Sequence, residues 1–251
     1  MVEKASKGNE VAVLIPAAGE GTRLGGRRKQ FRMLGGKPML VQTLDVFERH
    51  PEVDHIIVAT PAEAVRPLRQ ELKRIGITKL MTVVSGGLTR QDSVAAALAE
   101  TPDTVEVVLV HDAVRPFVRL SQVSAVISAA RKEGAGALAV PVTDTIRKGD
   151  ENLFGVTVPR EKLYRMQTPQ GFRRNWFQDA HEAADKNNYY ATDDVDLVQH
   201  KGYPVQIVEG GELNVKITTP EDWERATQFW PMWEKILHLE SREREVMAEA
   251  K

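Results

Sequence analysis

The chain has 251 residues, with 34 Lys and Arg against 35 Asp and Glu, a formal net charge of −1. That balance argues against a dedicated nucleic-acid binder, which needs a basic excess to displace counterions. A charged fraction of 27% beside 42% hydrophobic residues is a globular composition rather than a disordered one. Cysteine is absent, which rules out a disulfide scaffold, a thiolate zinc site, an iron–sulfur cluster and a thiol nucleophile.

In chain order, Met1 to Glu10 is polar and lacks the apolar core of a signal peptide, and no run reaches the roughly 18–20 apolar residues of a membrane span. The expectation is a soluble cytoplasmic protein. Val11 to Ile15 is short, β-branched and closed by Pro16, so it reads as a buried strand. Pro38 to His50 places Met39, Leu40, Leu44 and Phe47 on one helical face. The alternation continues with strands at His55–Ala59, Leu80–Val84, Val105–Val110 and Ala137–Val142, and with helices at Ala62–Ile75, Gln91–Glu100 and Ser121–Glu133. Strands alternating with helices of this length predict an α/β fold with a mostly parallel sheet covered on both faces. Ligands of such sheets bind at the carboxyl ends of the strands.

The alternation breaks at Thr143. Asp144–Lys148 and Leu153–Val158 flank the polar turn Gly149–Asn152, which predicts an inserted β-hairpin. Helices follow near Asn175–Lys186 and Thr192–Lys201, then strands at Val205–Val208 and Glu212–Ile217. Thr219-Pro220-Glu221-Asp222 combines a cap residue, a first-turn proline and early acids, so a helix starts there. Pro231 restarts it, and Ser241–Lys251 reads as a charged, solvated helix end.

Three loops sit where chemistry is expected. The first, Ala17 to Gln30, holds four glycines; from Glu20 to Lys37 there are six basic residues and one acid, a local excess of five positive charges. Bare amides beside Arg and Lys suit a triphosphate or pyrophosphate. A dinucleotide fingerprint is the competing reading of Gly19, Gly21 and Gly25, but Thr60-Pro61 follows the second strand where a ribose-binding acid is needed. An exposed basic loop is the plainer alternative. The second loop, Ser85 to Ser93, offers Gly86 and Gly87 backbone to a base edge; Ser93 either donates to that base or satisfies backbone. The third is His111-Asp112-Ala113-Val114-Arg115-Pro116. Asp112 at a strand's carboxyl end suits Mg²⁺ between phosphates or, alternatively, caps a turn, and His111 reads as a packed strand-end histidine. Arg160 closes the hairpin and either binds an anion or lies on the surface. Lys216 sits in the alternating strand before the last helix and faces phosphates if that strand ends at the same sheet edge. Without a Ser/His/Asp order or paired carboxylates, positioning and charge neutralisation fit better than a covalent mechanism.

With these residues in view, the chain resembles the 2-C-methyl-D-erythritol 4-phosphate cytidylyltransferase family of the non-mevalonate isoprenoid pathway over about Val11 to Phe229. The resemblance rests on Pro16-Ala17-Ala18-Gly19-x-Gly21-x-Arg23, Lys29-Gln30-Phe31, Gly86-Gly87-x-x-Arg90-x-x-Ser93, Val108 to Pro116, Thr168-Pro169-Gln170, Thr192-Asp193 and Asn214-x-Lys216-x-Thr218-x-Pro220-Glu221-Asp222. It implies a Rossmann-like fold of the nucleotide-diphospho-sugar transferase type, with one nucleotidyltransferase domain over 1–230 and a β-arm at about 143–168; the charged helical tail at 231–251 is longer than the family needs. It implies a Mg²⁺-dependent in-line attack that joins CTP to methylerythritol phosphate and releases pyrophosphate. By position, Arg23 and Lys29 stabilise the transition state at the α-phosphate, and Ala17, Ala18, Gly19, Gly87 and Ser93 surround the nucleotide. Asp112 holds the metal; Arg115, Thr145, Arg160, Lys216 and Thr218 serve the second substrate. The family's arm makes a homodimer, so Thr145 and Arg160 would serve the neighbour's site. The chain departs from the family pattern at Arg28, where a proline is usual, leaving Arg28 and Lys29 as alternatives for the family lysine, and at Leu88, where an acid is frequent. A sister cytidylyltransferase acting on another polyol phosphate such as ribitol 5-phosphate, a Rossmann oxidoreductase and a non-catalytic nucleotide-binding module are the alternatives.

Overall fold

In this computed structural model the described residues are 8–19 and 29–249. The chain runs β1 (Glu10–Pro16), β2 (Met33–Leu34), β3 (Lys37–Pro38), α1 (Met39–Arg49), β4 (His55–Thr60), α2 (Val65–Arg74), β5 (Leu80–Ser85), α3 (Arg90–Leu98), β6 (Val105–Val110), α4 (Leu120–Glu133) and β7 (Ala135–Pro141). It continues β8 (Ile146–Asp150), β9 (Leu153–Val158), β10 (Tyr164–Arg173), α5 (Arg174–Asn187), α6 (Asp194–His200), β11 (Gln206–Glu209) and α7 (Pro220–Glu249). Seven strands form one sheet in the order β11-β7-β10-β6-β1-β4-β5. Within this sheet, among the described residues, only β10 runs against its neighbours; β1, β4, β5 and β6 pair in parallel, as do β7 and β11.

Both faces of the sheet are covered, which is why the central strands read as unbroken apolar runs. Val11, Val13 and Ile15 of β1 face Leu40, Leu44 and Phe47 of α1 and Val123, Val126 and Ile127 of α4. Ala12 and Leu14, on the opposite face, meet Val94 and Ala97 of α3, Phe177 of α5 and Leu197 of α6. A third cluster joins Leu34, Met39, Phe117 and Ile217 to Trp230 and Trp233 of α7.

Three features differ from the expectations above. β10 has no counterpart among the expected strands: Tyr164–Arg173 contains Gln167, Pro169, Gln170 and Gly171, none of which announces a central strand. The strand expected over Glu212–Ile217 is instead an irregular segment. Asn214 turns inward there and donates through Nδ2 to the Thr168 carbonyl at 2.8 Å, while the Ile217 amide bonds to the Val114 carbonyl at 3.0 Å. Side-chain and loop partners thus replace a ladder. Pro231 does not restart the last helix but lies inside α7. The burial of Trp230 and Trp233 on either side of it offsets the hydrogen bond that proline removes. The buried aromatic packing also crosses residue 230, since Trp233 is fully buried and Ile236 and Leu237 pack on the same cluster. The hairpin forms as expected, with β8 and β9 paired as a separate two-stranded sheet. Among the described residues no helix is long and apolar enough to cross a membrane.

Candidate active site

The parallel strands bring their carboxyl ends to one edge, and the loops leaving β1, β5 and β6 enclose a cleft of about 360 Å³ there. Its walls include Ala17, Ala18, Gly19, Gly87, Ser93, Asp112 and Lys216, so seven of the residues singled out in the sequence converge. Gln30, Leu88 and Arg90 also line it.

Each wall has a local cause. The turn after β1 is held by the buried Gln30, whose Nε2 donates to the Ala17 carbonyl at 2.8 Å. In the second loop, Thr89 and Asp92 form a reciprocal cap at the start of α3. The Ser93 hydroxyl accepts from the Gly87 amide at 3.2 Å and donates to the Thr89 carbonyl at 2.9 Å, so Ser93 fixes the shape of the loop. Glycine is required beside it. A Cβ on Gly86 would meet Ala18 Cβ at 2.5 Å, and one on Gly87 would meet Asp92 Cβ at 2.2 Å. Leu88 projects fully exposed at the lip.

Charge is concentrated at the floor. Asp112 Oδ2 lies 3.0 Å from Lys216 Nζ and 3.3 Å from Arg115 Nε, while Oδ1 lies 3.4 Å from Arg90 Nε. Burial alone would raise the Asp112 pKa; Lys216, Arg90 and Arg115 together outweigh it and hold the carboxyl well below the usual carboxylate range. Asp112 is therefore ionised throughout the neutral region. His111 behind it is fully buried between the Arg115 carbonyl and Thr168 Oγ1, at 3.0 and 3.1 Å, and burial pushes its pKa down to about 4. It is a packed, neutral strand-end histidine, as the sequence suggests.

The remaining singled-out residues lie elsewhere. Arg115 sits beneath the cleft, with Nη1 on the Asn214 carbonyl at 2.7 Å and Nη2 on the Met166 carbonyl at 3.4 Å, and ties the segment before α7 to β10. Thr218 donates through its hydroxyl to Asp222 Oδ2 at 3.0 Å at the start of α7 and is not among the cleft's lining residues. Thr145 and Arg160 are exposed at the hairpin, where an Arg160 Nη1 donates to the Thr143 carbonyl. Arg23 and Arg28 lie outside the described residues; Lys29 opens a 3₁₀ turn over Lys29–Phe31, and its side chain lies outside them too.

Two site residues escaped assignment from sequence. Arg90, quoted only as a motif letter, spans Asp112 and the buried Asp194. Asp194 follows the capping Asp193 and reads in sequence as one more first-turn acid. The available signal was the placement of Arg90 at the first position of a helix opening on the strand ends.

The family model described as 2-C-methyl-D-erythritol 4-phosphate cytidylyltransferase (IspD) matches residues 11–230. The chain belongs to this family. A family member from Salinibacter ruber is 55% identical over 223 residues, covering 89% of this chain and 94% of that protein. One from Geobacter metallireducens is 42% identical over 224 residues, covering 87% and 97%. The crystal structure of the Thermus thermophilus family member superposes with a TM-score of 0.76 at 37% identity, covering 88% of this chain and 99% of that one. As a member of the family the chain is a nucleotidyltransferase, and its Rossmann-like sheet is the fold of its structural neighbours.

Proposed function

We propose that this cytidylyltransferase joins CTP to 2-C-methyl-D-erythritol 4-phosphate, giving 4-diphosphocytidyl-2-C-methyl-D-erythritol and pyrophosphate. The observation that carries the reading is the Asp112–Lys216 pair, 3.0 Å apart on the floor of a cleft walled by two glycine loops. It supplies one hard anionic ligand and one cation where a nucleotide's phosphates meet the strand ends.

The substrate's phosphate monoester oxygen is already an adequate nucleophile, so a strong general base is not needed. It attacks the α-phosphorus of CTP, the bond to the β-phosphate oxygen breaks, and pyrophosphate leaves with the electron pair. The obstacle is repulsion between two polyanions. Lys216, with Arg23 and Lys29 of the basic loop, neutralises charge at the phosphorus and on the leaving group, and the Ala17–Gly19 turn lets backbone approach the phosphates. Among the described residues no three His, Cys, Asp or Glu side chains gather as a metal cage. A lone carboxylate fits Mg²⁺, which usually keeps waters and takes its other ligands from substrate phosphates. Asp112 would hold it, and when bound the ion supplies charge neutralisation across the phosphates.

The arm supports a homodimer. Leu153, Phe154 and Val156 are 79%, 88% and 68% exposed, an apolar surface that a lone subunit leaves in water. In the dimer, the arm's Thr145 and Arg160 reach the neighbour's second-substrate pocket, with Arg115 bracing the floor beneath. The catalytic unit spans 1–230, and α7 continues past it to pack on its core through Trp233. The test is pyrophosphate release with CTP and a panel of polyol phosphates. Preference for methylerythritol phosphate supports the assignment; preference for ribitol 5-phosphate, or no release with any, refutes it.

A further inference from the structure

Arg90 stands between two carboxylates delivered by different loops. Its Nε lies 3.4 Å from Asp112 Oδ1 and its Nη2 lies 2.6 Å from Asp194 Oδ2. Asp112 Oδ2, by contrast, faces Lys216 and Arg115. The two oxygens of the floor carboxylate are therefore held by different groups, and among the described residues Arg90 makes the ion pair to Oδ1. Asp194 is itself fixed. It is 2% exposed, and its amide donates to Gln170 Oε1 at 3.1 Å, while Gln170 Nε2 donates to Asp193 Oδ2 at 2.9 Å. The start of α3 is pinned to the same segment, since Gln91 donates to the Tyr189 carbonyl at 3.1 Å and accepts from the Ala191 amide at 2.9 Å. Arg90 thus has a rigid anchor behind it and the Oδ1 side of the floor carboxylate in front.

Resting on the function proposed above, we propose that Arg90, anchored by Asp194, is a positioning residue that sets the plane of the Asp112 carboxylate toward the metal–nucleotide complex. Asp194 acts through Arg90 without touching substrate. The task suits a guanidinium: its planar fork reaches two carboxylates at once, whereas a lysine ammonium at the same site is a single compact charge on a flexible stem. An Asp112 free to rotate about its Cβ–Cγ bond presents either oxygen, and misplacement of about 1 Å in an in-line transfer costs on the order of 10²-fold in rate.

The full-length Arg90→Lys and Asp194→Asn variants test this. Calorimetric titration with CTP is run once with Mg²⁺ and once with EDTA, beside turnover and melting temperature. Both variants should bind metal-free CTP within about twofold of the unsubstituted enzyme and lose about fivefold or more of the affinity gained on adding Mg²⁺. Turnover should fall roughly 10- to 100-fold. An Arg90→Lys enzyme that keeps the full Mg²⁺-dependent gain overturns the assignment, as does equal loss of metal-free CTP affinity and turnover, which marks a merely structural role. If Arg90→Lys does not fold, Asp194→Asn carries the same readouts. An unsubstituted enzyme that turns over no polyol phosphate refutes the proposed function separately, because the binding measurement needs no turnover.

Discussion

Lys216→Met separates catalysis from stability in a single substitution. In the free enzyme the lysine side chain is 40% exposed, with Nζ 3.0 Å from Asp112 Oδ2. An ion pair so open to water contributes about 0–1 kcal/mol to folding. Asp112 also keeps Arg90 and Arg115, at 3.4 and 3.3 Å, so it is not left as an uncompensated buried charge. For a chain of this size 1 kcal/mol corresponds to roughly 2–4 °C, and the melting temperature should fall by no more than about that. In the proposed mechanism the same ammonium faces charge that develops at the α-phosphorus. Removing one preorganised group of this kind costs about 2.7–4 kcal/mol of transition-state stabilisation, or 10²–10³ in kcat. Pyrophosphate release at saturating substrates and a thermal melt of the same preparation read the two quantities. A kcat within tenfold of the unsubstituted enzyme refutes the role, and a melting temperature lowered by more than about 8 °C refutes the separation.

Trp233→Ala empties a fully buried site and should cost about 3–5 kcal/mol, lowering the melting temperature by roughly 6–20 °C; an unchanged melt would show that α7 beyond Trp230 is dispensable. Phe154→Asp places a charge on the exposed arm and should turn the proposed dimer into a monomer of low activity, as light scattering with an activity assay will report; a dimer that persists in the variant, or an unsubstituted enzyme that is monomeric, contradicts the proposed role of the arm. For His111, the folded pKa of about 4 lies below the ordinary value of 6.5, so the unfolded chain binds the proton more readily. Its contribution is therefore neutral above about pH 6.5, turns destabilising as pH falls towards 4 and then levels off. At pH 5 it is on the order of 2 kcal/mol. Urea midpoints at pH 7 and pH 5 should differ more for the unsubstituted enzyme than for His111→Gln, and equal differences refute the assignment.

The parallel core is legible in the sequence because β1, β4 and β6 are buried on both faces, which forces short, unbroken runs of Val, Ile, Leu and Ala. The cleft loops are legible for a related reason: a strand must end in a turn before its helix, and Gly19, Gly87 and Asp112 stand at those ends. β10 is not legible, since Gln167, Thr168 and Gln170 are buried in it through specific partners: Gln167 Nε2 on the Gly211 carbonyl at 2.8 Å, Asn214 Nδ2 on the Thr168 carbonyl at 2.8 Å and Gln170 Nε2 on Asp193 Oδ2 at 2.9 Å. A periodicity argument assigns such residues to the surface. The same blindness produced the mistaken strand at Glu212–Ile217, where Leu213, Val215 and Ile217 alternate in sequence although only Ile217 is buried. Arg90 and Asp194 stand 104 positions apart, and their pairing depends on how α3 and α6 converge at the sheet edge, which no local pattern encodes.

The placement of the arm carries a consequence for how this molecule can be altered. The hairpin leaves the sheet after β7 and returns as β10, and those two strands are hydrogen-bonded neighbours with Tyr164 opposite Pro141. The Val142 amide closes onto the Leu163 carbonyl at 2.9 Å just beyond that pair. Entry and exit are thus stapled side by side, and everything between them is a detachable loop in the topological sense. The arm can lengthen, shorten or be exchanged for a foreign hairpin without shifting the register of any strand that builds the cleft, so the exposed apolar surface of the arm is free to drift while the cleft stays fixed.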